Sequence, residues 1–408
     1  MNRIDEQVST YMHGSEFGDP QTKEMMEKEL KQRLIEAENE GRPLRVYCGY
    51  DVTAPDIHLG HTVTMRKLRQ FQEYGHEVTF VIGTVTSLIG DPSDRDQARK
   101  PQTMEQIMEN AQTYAKQAFK ILDPLKTIVR YNHEWLKNLT FPDVINLASK
   151  FTVQQFLVRD RLHARIEKNE PLWLSELLYP LAQGYDAAFL KADVQIGATE
   201  QLFNLMSGRR IQEGFGLKPQ ICITFPILIG TDGQQKMGKS LGNYIGIDEP
   251  AGIQYAKIMS LPDNLIIPYF DLVTRWPREK INSVKTELEQ GRLHPMELKK
   301  RLAWEIVDIF NNTEVADKAA EEFTRVHQER EAPVEMNEYL IDQTTDILEL
   351  LMATGLCGSK SEARRAILAG SVKLDGKKVD EPDLLVEPCQ AVLQKGRRSF
   401  IRLVPEKE

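Results

Sequence analysis

The sequence predicts an α/β protein whose main body is a parallel sheet covered on both faces, followed by a helical stretch and a small α+β module. Three observations predict it. Over the first 245 residues, short apolar runs alternate with helical stretches, as strands joined by crossover helices do. From 246 to about 335 the strand-like runs disappear and a helical apolar stripe replaces them. From 343 onward a helix-start signal and a tight hairpin follow a polar stretch. A chain of 408 residues also exceeds one core, since single cores stop growing beyond roughly 250–300 residues. The reading is three domains, 1–245, 246–335 and 343–408.

Taken in order, residues up to about Glu40 read as a polar, charge-rich helix. Residues 44–47 are a short apolar run closed by Cys48 and Gly49, a buried strand ending in a turn. Between His61 and Tyr74, Met65, Leu68 and Phe71 recur at spacings of three and predict an amphipathic helix. Residues 77–82 form a second strand, stopped by Gly83, and further strands are predicted at 127–130, 193–196 and 221–229. In the helical stretch, Leu298, Leu302, Ala303, Ile306, Ile309 and Phe310 make the stripe, and residues 327–338 read as a polar linker. In the tail, Ser359 and Glu362 are spaced as a capping box opening a helix at 363–369. Asp375 and Gly376 supply the tight turn of a hairpin over 372–379.

Hydrophobic content of 41% and charged content of 27% describe a globular protein. No stretch is long and apolar enough to span a membrane, and the first residues lack the apolar core of a secretory signal. Cys48, Cys222, Cys357 and Cys389 stand far apart with no CxxC pair, which argues against a disulfide framework or structural zinc and for a reducing cytoplasm. Net charge is -8, yet from 343 to the end 11 Lys/Arg face 10 Asp/Glu, leaving the rest at -9. Within 358–378, six basic residues face only Glu362 and Asp375, a local patch compatible with RNA. A short charge run is more often a solvated face.

Two motifs carry chemistry. His58, Leu59, Gly60 and His61 follow the first strand and open the next helix, where unpaired N–H groups favour anions. Gly60 lacks a Cβ, so a flat base can rest on the backbone there. No third ligand stands near the pair to suggest a metal, and two incidental histidines are the plain alternative. Lys236, Met237, Gly238, Lys239 and Ser240 place two lysines three residues apart in a loop, where they can converge on a polyphosphate or remain solvated. Gly233 to Ser240 also matches the letters of a Walker A loop. That motif must run straight into a helix, whereas Leu241, Gly242, Asn243 and Gly246 follow, so the match is read as fortuitous.

Together the motifs resemble the H-I-G-H and K-M-S-K-S signatures of class I aminoacyl-tRNA synthetases, and finer matching resembles the bacterial tyrosyl-tRNA synthetase family. Residues 47–54 resemble that family's Y-C-G-F-D-P-T-A, and residues 88–93 its L-I-G-D-P-S. Tyr179, Gln183 and Asp186 match Y-x-x-x-Q-x-x-D, and residues 194–197 the strand after it. The tail resembles the alpha-L RNA-binding module. The likeness covers nearly the whole chain. Two departures stand out: Gly238 replaces the usual serine, and Glu200 with Gln201 replaces Asp-Gln.

The resemblance implies a Rossmann-like catalytic domain, a helical anticodon-arm-binding domain and an RNA-binding module. It implies an enzyme that activates tyrosine with ATP, as its Mg²⁺ complex, and transfers it to tRNA(Tyr). Thr53, His58, His61, Lys236 and Lys239 are implied in catalysis, with Arg95 and Arg99 as helpers. Cys48, Gly49, Gly60, Glu200 and Ser240 join the ATP site. Tyr47 and Asp186 are implied to hold the phenol hydroxyl, and Asp91, Tyr179 and Gln183 the ammonium group, with Asp51, Thr86 and Gln201 beside them. The plain alternative for each alone is a buried tyrosine or an ion-paired carboxylate. A homodimer, and no permanently bound cofactor or metal, complete the expectation. The rivals are a tryptophanyl-tRNA synthetase, a P-loop hydrolase and a non-enzymatic RNA-binding regulator.

Overall fold

The structure, a computed structural model, describes residues 2–52, 54–92, 102–157, 160–327, 336–396 and 399–405. Thr53, Arg95, Arg99 and residues 328–335 of the stretch read as a linker lie outside the described residues. Contacts divide the chain into two units, Met1–Asn312 and Thr313–Glu408.

In the first unit, α1 (Arg3–Met12) and α2 (Pro20–Asn39) start at Asn2 and Asp19, whose side chains accept from the Asp5 and Thr22 amides at 2.8 and 2.7 Å. There follow β1 (Arg45–Asp51), α3 (Leu59–Glu73), β2 (Glu77–Gly83), α4 (Thr84–Ile89), α5 (Met104–Ala118) and β3 (Thr127–Tyr131). Next come α6 (His133–Leu136), α7 (Phe141–Ala148), α8 (Val153–Leu157), α9 (Asp160–Glu167) and α10 (Leu174–Phe189). Then β4 (Val194–Ala198), α11 (Leu202–Gly214) and β5 (Ile221–Phe225) complete the α/β layers. All five strands are parallel, in the order β3-β2-β1-β4-β5. β2, β4 and β5 are rich in Val and Ile and nearly continuously buried, as strands covered on both faces must be, whereas the edge strand β3 has no fully buried residue. The strand order reverses at β1, and a ligand crevice belongs at the carboxyl ends there.

Two strand ends differ from the sequence reading. β1 runs on through Gly49 to Asp51, paired with Val81 and Gly83 of β2. Gly49 marks an open face rather than a turn, since nothing lies within 4 Å of where its Cβ would be. β5 stops at Phe225 because Pro226 has no N–H to give the ladder.

Helices α10 and α11 meet backbone to backbone. A Cβ on Gly184 would stand 3.3 Å from the Gly208 backbone and 2.6 Å from the Ile211 side chain. A Cβ on Gly208 would stand 2.6 Å from the Gln220 amide, so both glycines permit the approach. Helices α12 (Ala251–Met259), α13 (Ile266–Val273), α14 (Arg278–Glu289) and α15 (Pro295–Phe310) close the unit. The α15 stripe buries Leu298, Leu302, Ala303, Ile306 and Phe310; Val307 turns inward where Ile309 was expected, and Ile309 is half-buried.

The second unit holds α16 (Thr313–His327), β6 (Glu338–Ile341), β7 (Thr345–Asp346), α17 (Ile347–Ala353), α18 (Lys360–Leu368), β8 (Val372–Leu374) and β9 (Lys377–Lys378). β10 (Leu385–Val386), β11 (Ala391–Lys395) and β12 (Ser399–Pro405) follow. Its main sheet runs β6-β12-β11-β8-β9, packed on Leu350, Leu351, Ala363 and Ile367. Ser359 caps α18 by accepting from the Glu362 amide at 3.2 Å, while the Glu362 carboxylate accepts from Gly358 N at 2.9 Å. Asp375 and Gly376 both take positive φ, 47° and 76°, as the two-residue β8–β9 hairpin demands. No helix among the described residues is long and apolar enough to cross a membrane.

Candidate active site

A cavity of about 1340 Å³ opens at the carboxyl ends of the strands, lined by Cys48 to Asp51 of β1, Gly83 of β2, Gln195 to Ala198 of β4 and Phe225 of β5. Its lining includes His58, Gly60, His61, Thr86, Asp91, Tyr179, Gln183, Asp186, Glu200, Gln201, Lys236, Lys239 and Ser240. Of the residues named from sequence, only Tyr47 and the undescribed Thr53, Arg95 and Arg99 are absent from it. Tyr47 is buried beside the cavity, packed against Val81, Trp135 and Ala187. Its hydroxyl is buried and makes no hydrogen bond of good geometry among the described residues, and burial, with the Asp186 charge second, holds the phenol protonated.

At the start of α3 the two imidazoles lie 3.9 Å apart. His58 Nδ1 accepts from Gly60 N, and His61 Nδ1 accepts from His58 N, each at 3.2 Å. With both Nδ1 lone pairs engaged, the ring proton of each neutral histidine sits on Nε2, a donor. Burial, with the neighbouring lysines, keeps them neutral: His61 is lowered to about 4 and His58 further. A Cβ on Gly60 would press on the His58 ring at 3.0 Å and reach Met237 at 3.7 Å.

The lysine loop is stitched to this helix start. His58 bridges Gly246 in antiparallel fashion, with Leu59 N to Ile245 O at 2.9 Å and Ile247 N to Ile57 O at 3.1 Å. Lys239 donates to the Asp56 carbonyl, and Lys236 is lowered to about 8 by burial, partly offset by Asp91. After Ser240 the chain makes one 3-10 turn, Lys239–Leu241, and Gly242 follows at φ 66°, so no helix follows the Walker-like letters.

The opposite wall carries acids and amides. Asp51 accepts from Thr86 Oγ1 at 2.7 Å and Tyr179 Oη at 3.0 Å. Asp91 accepts from Gln201 Nε2 and, at 3.3 Å, from Asn204 Nδ2. Asp186, fully buried, accepts from Trp135 Nε1 at 2.7 Å and Asn132 Nδ2 at 3.4 Å. Burial pushes its carboxyl up to about 8, against the pull of those two donors. Gln183 Oε1 is buried without a partner. The wall thus offers three acidic groups, Asp51, Asp91 and Asp186, a buried amide oxygen and, behind them, a buried phenol, a set suited to a small molecule with a cation at one end and a hydroxyl at the other.

The sequence model of "tRNA synthetases class I (W and Y)" matches residues 38–328, and that of the "S4 domain" matches residues 348–392. The tyrosine–tRNA ligase of Carboxydothermus hydrogenoformans is 46% identical over 389 residues, 93% of this chain and 95% of that protein. The chain belongs to the tyrosine–tRNA ligase family. The family's Thermotoga maritima member is 47% identical over 378 residues, 92% of this chain and 93% of its own. A solved tyrosyl-tRNA synthetase from Archaeoglobus fulgidus, complexed with L-tyrosine, shares the fold with a TM-score of 0.61 at 24% identity, over 78% of this chain and 99% of that one.

In this tyrosine–tRNA ligase family member, sequence reasoning missed the residues that hold the others. Asn132 donates to Asp186 and, at 3.1 Å, to Thr86 Oγ1, which in turn donates to Asp51, so one amide links Asp186 to Asp51 through a hydroxyl. Asn204 ties Asp91 to Gln201 Oε1, the latter at 3.0 Å. The Arg165–Glu176 pair, at 2.6 Å, clamps the cavity wall that begins α10. Trp135 belongs with them, since its buried indole N–H needs an acceptor and finds it in Asp186.

Proposed function

We propose that this one cavity performs both steps of tyrosine–tRNA ligation, with its walls divided between tyrosine and the ATP phosphates. The chain is a tyrosine–tRNA ligase, an aminoacyl-tRNA synthetase that uses ATP. In the first step a tyrosine carboxylate oxygen bonds to the α-phosphorus, the bond to the bridging β-oxygen breaks and pyrophosphate leaves. In the second, a ribose hydroxyl at the tRNA 3' end attacks the tyrosyl carbonyl and AMP leaves. The carboxylate is already ionised, so the first step needs no general base. Its demand is for positioning and for donors where negative charge builds on the phosphates.

Lys236, Lys239 and the Nε2–H groups of His58 and His61 supply those donors, and Mg²⁺ enters with the triphosphate. The adenosine lies along Cys48, Gly49 and Gly60, where the missing side chain of Gly49 leaves a flat approach, with Glu200 and Ser240 nearby. Tyrosine takes the opposite wall: Asp91, Tyr179 and Gln183 hold its ammonium group, with Asp51, Thr86 and Gln201 around them. Asp186 and the buried Tyr47 hydroxyl take the phenol. The family resemblance adds Thr53, which lies outside the described residues, to the groups expected to serve the phosphates.

In this reading the chain divides into a catalytic domain (1–245), a helical domain (246–335) and a module over 343–408 preceded by β6. The exposed Lys360, Arg364, Arg365, Lys373, Lys377 and Lys378 of the last give tRNA(Tyr) phosphates a landing face. Phe141 and Leu174, 77% and 76% exposed, with Ile145 and Val153, are the apolar surface a homodimer would cover. The enzyme works in the cytoplasm. What supports the reading is the convergence of the histidine, lysine and acid–amide sets on one cavity. The test is ATP–pyrophosphate exchange with each of the twenty amino acids: tyrosine alone should sustain it, and exchange driven better by tryptophan would overturn the assignment.

A further inference from the structure

We propose that Asn243 is the positioning residue of the lysine loop, an internal latch whose amide sets where Lys236 and Lys239 stand. It does not itself line the cavity and is 3% exposed. Its side chain sits inside the loop. Oδ1 accepts from Gly238 N at 2.8 Å, and Nδ2 donates to Lys236 O at 3.0 Å and Asp232 Oδ2 at 2.8 Å, with Gln235 O at 3.5 Å. The two peptide groups flanking Met237 are therefore both held by one amide. That fixes the path of the chain between the two lysines.

The rest of the loop is built around this contact. Asn243 O accepts from Thr231 N at 2.9 Å, joining the loop's ends, and Gly230 N donates to Gln235 O at 2.8 Å. A Cβ on Gly230 would overlap the Asn243 amide, so the glycine is the space the latch occupies. Asp232 Oδ1 accepts from Gln234 N and Gln235 N, each at 3.0 Å, which orients its other oxygen toward Asn243. Isolated Gly-containing loops sample many conformations. An asparagine meeting both a donor and several acceptors selects one, before any ligand arrives.

The inference rests on the reading that Lys236 and Lys239 serve the ATP phosphates, and the test separates the two. In full-length Asn243→Ala, single-turnover adenylate formation at saturating tyrosine and ATP should fall by about 10²-fold, the scale for misplacing reacting groups by about 1 Å. Tyrosine Kd should stay within about twofold, because the opposite wall is untouched. Trypsin should cut after Lys236 or Lys239 about tenfold faster, as the loop opens locally. Asn243→Asp sets two carboxylates face to face and should also be slow; adding Asp232→Asn restores a donor–acceptor pair and should recover about fivefold. A role in filling space alone predicts a normal rate for Asn243→Asp. The same assay on Lys236→Ala and Lys239→Ala fixes the frame. If those are crippled while Asn243→Ala keeps its rate or its trypsin resistance, the latch is overturned and the lysine reading stands. If the lysine variants also run at full rate, both are overturned. Should Asn243→Ala fail to fold, the Asn243→Asp variant with and without Asp232→Asn decides, and no recovery overturns the latch.

Discussion

Replacing Asp186 with asparagine keeps the shape of the side chain and changes one acceptor oxygen into a donor. In the native site both carboxylate oxygens are addressed, Oδ1 by Trp135 and Oδ2 by Asn132. The asparagine must give its single oxygen to the indole, which leaves its NH₂ facing the NH₂ of Asn132. A phenol hydroxyl arriving there loses a charged acceptor, a bond worth about 1.5–3 kcal/mol, or about 10- to 100-fold in tyrosine affinity. The pH sets where in that range the loss falls. With its carboxyl pushed up to about 8, Asp186 is mostly protonated in the free enzyme at pH 7 and mostly ionised at pH 9. Wild-type affinity for tyrosine should therefore rise between pH 7 and pH 9 relative to that of the amide variant, a ratio from which titration of the ligand's own ammonium group cancels. The deficit should widen from about tenfold to about 100-fold over those two units. Equilibrium dialysis of tyrosine and phenylalanine at both pH values measures it, and phenylalanine affinity should not change. An equal loss for phenylalanine, or a deficit independent of pH, would refute the assignment of Asp186 to the hydroxyl.

Lys236→Ala or Lys239→Ala should slow adenylate formation by about 10²–10³ at unchanged tyrosine Kd, measured by single turnover. Lys236, lowered to about 8, is charged below that pH, so single-turnover adenylate formation at subsaturating ATP should decline as pH rises through 8. Gly238→Ser should change exchange rates by less than about threefold, because a Cβ there finds nothing nearer than Leu241 at 3.7 Å and φ is extended. A chain ending at residue 336, ahead of β6, should still make tyrosyl-adenylate near the normal rate but charge tRNA poorly; filter binding should show its tRNA affinity falling less steeply with salt. Between pH 6.5 and 4 the unfolded chain protonates His61 and His76, while the folded protein, with both lowered to about 4 by burial, does not. Stability is full above pH 6.5 and lost on acidification, and the thermal midpoint should drop by about 5 °C or more by pH 4.5.

The strands were legible because a parallel sheet buried on both faces needs unbroken apolar runs, and residues 77–82 and 221–225 supply them. The end of β1 was not, because Gly49 reads as a turn until a sheet shows that its missing side chain keeps a face clear. The cavity residues were legible as spaced motifs. Asn132, Asn204 and Asn243 were not. Each acts through two or three partners far apart in sequence or hidden in a loop, and a lone asparagine looks like turn material. For Asn243 a local signal did exist, since Leu241, Gly242 and Asn243 follow the lysines directly, but nothing in the letters says that the amide points back into the loop. Nor do the letters show that the Gly238 N–H is tied to Asn243.

The bridge between His58 and Gly246 has a consequence for synthesis. Ile57 and Ile247, which it brings into register, are 190 residues apart in the chain. At about 5–20 residues per second, a ribosome takes about 10–40 s to make the second strand of the stitch after the first has emerged. Through that interval α3 can form and pack on β1 and β2, but its histidine end has neither the strand that pins it nor the lysines that face it. A nascent chain thus carries the histidine edge of the cavity without its lysine edge. The site comes into being in one late step, when residues 245–247 close against the start of a helix made long before.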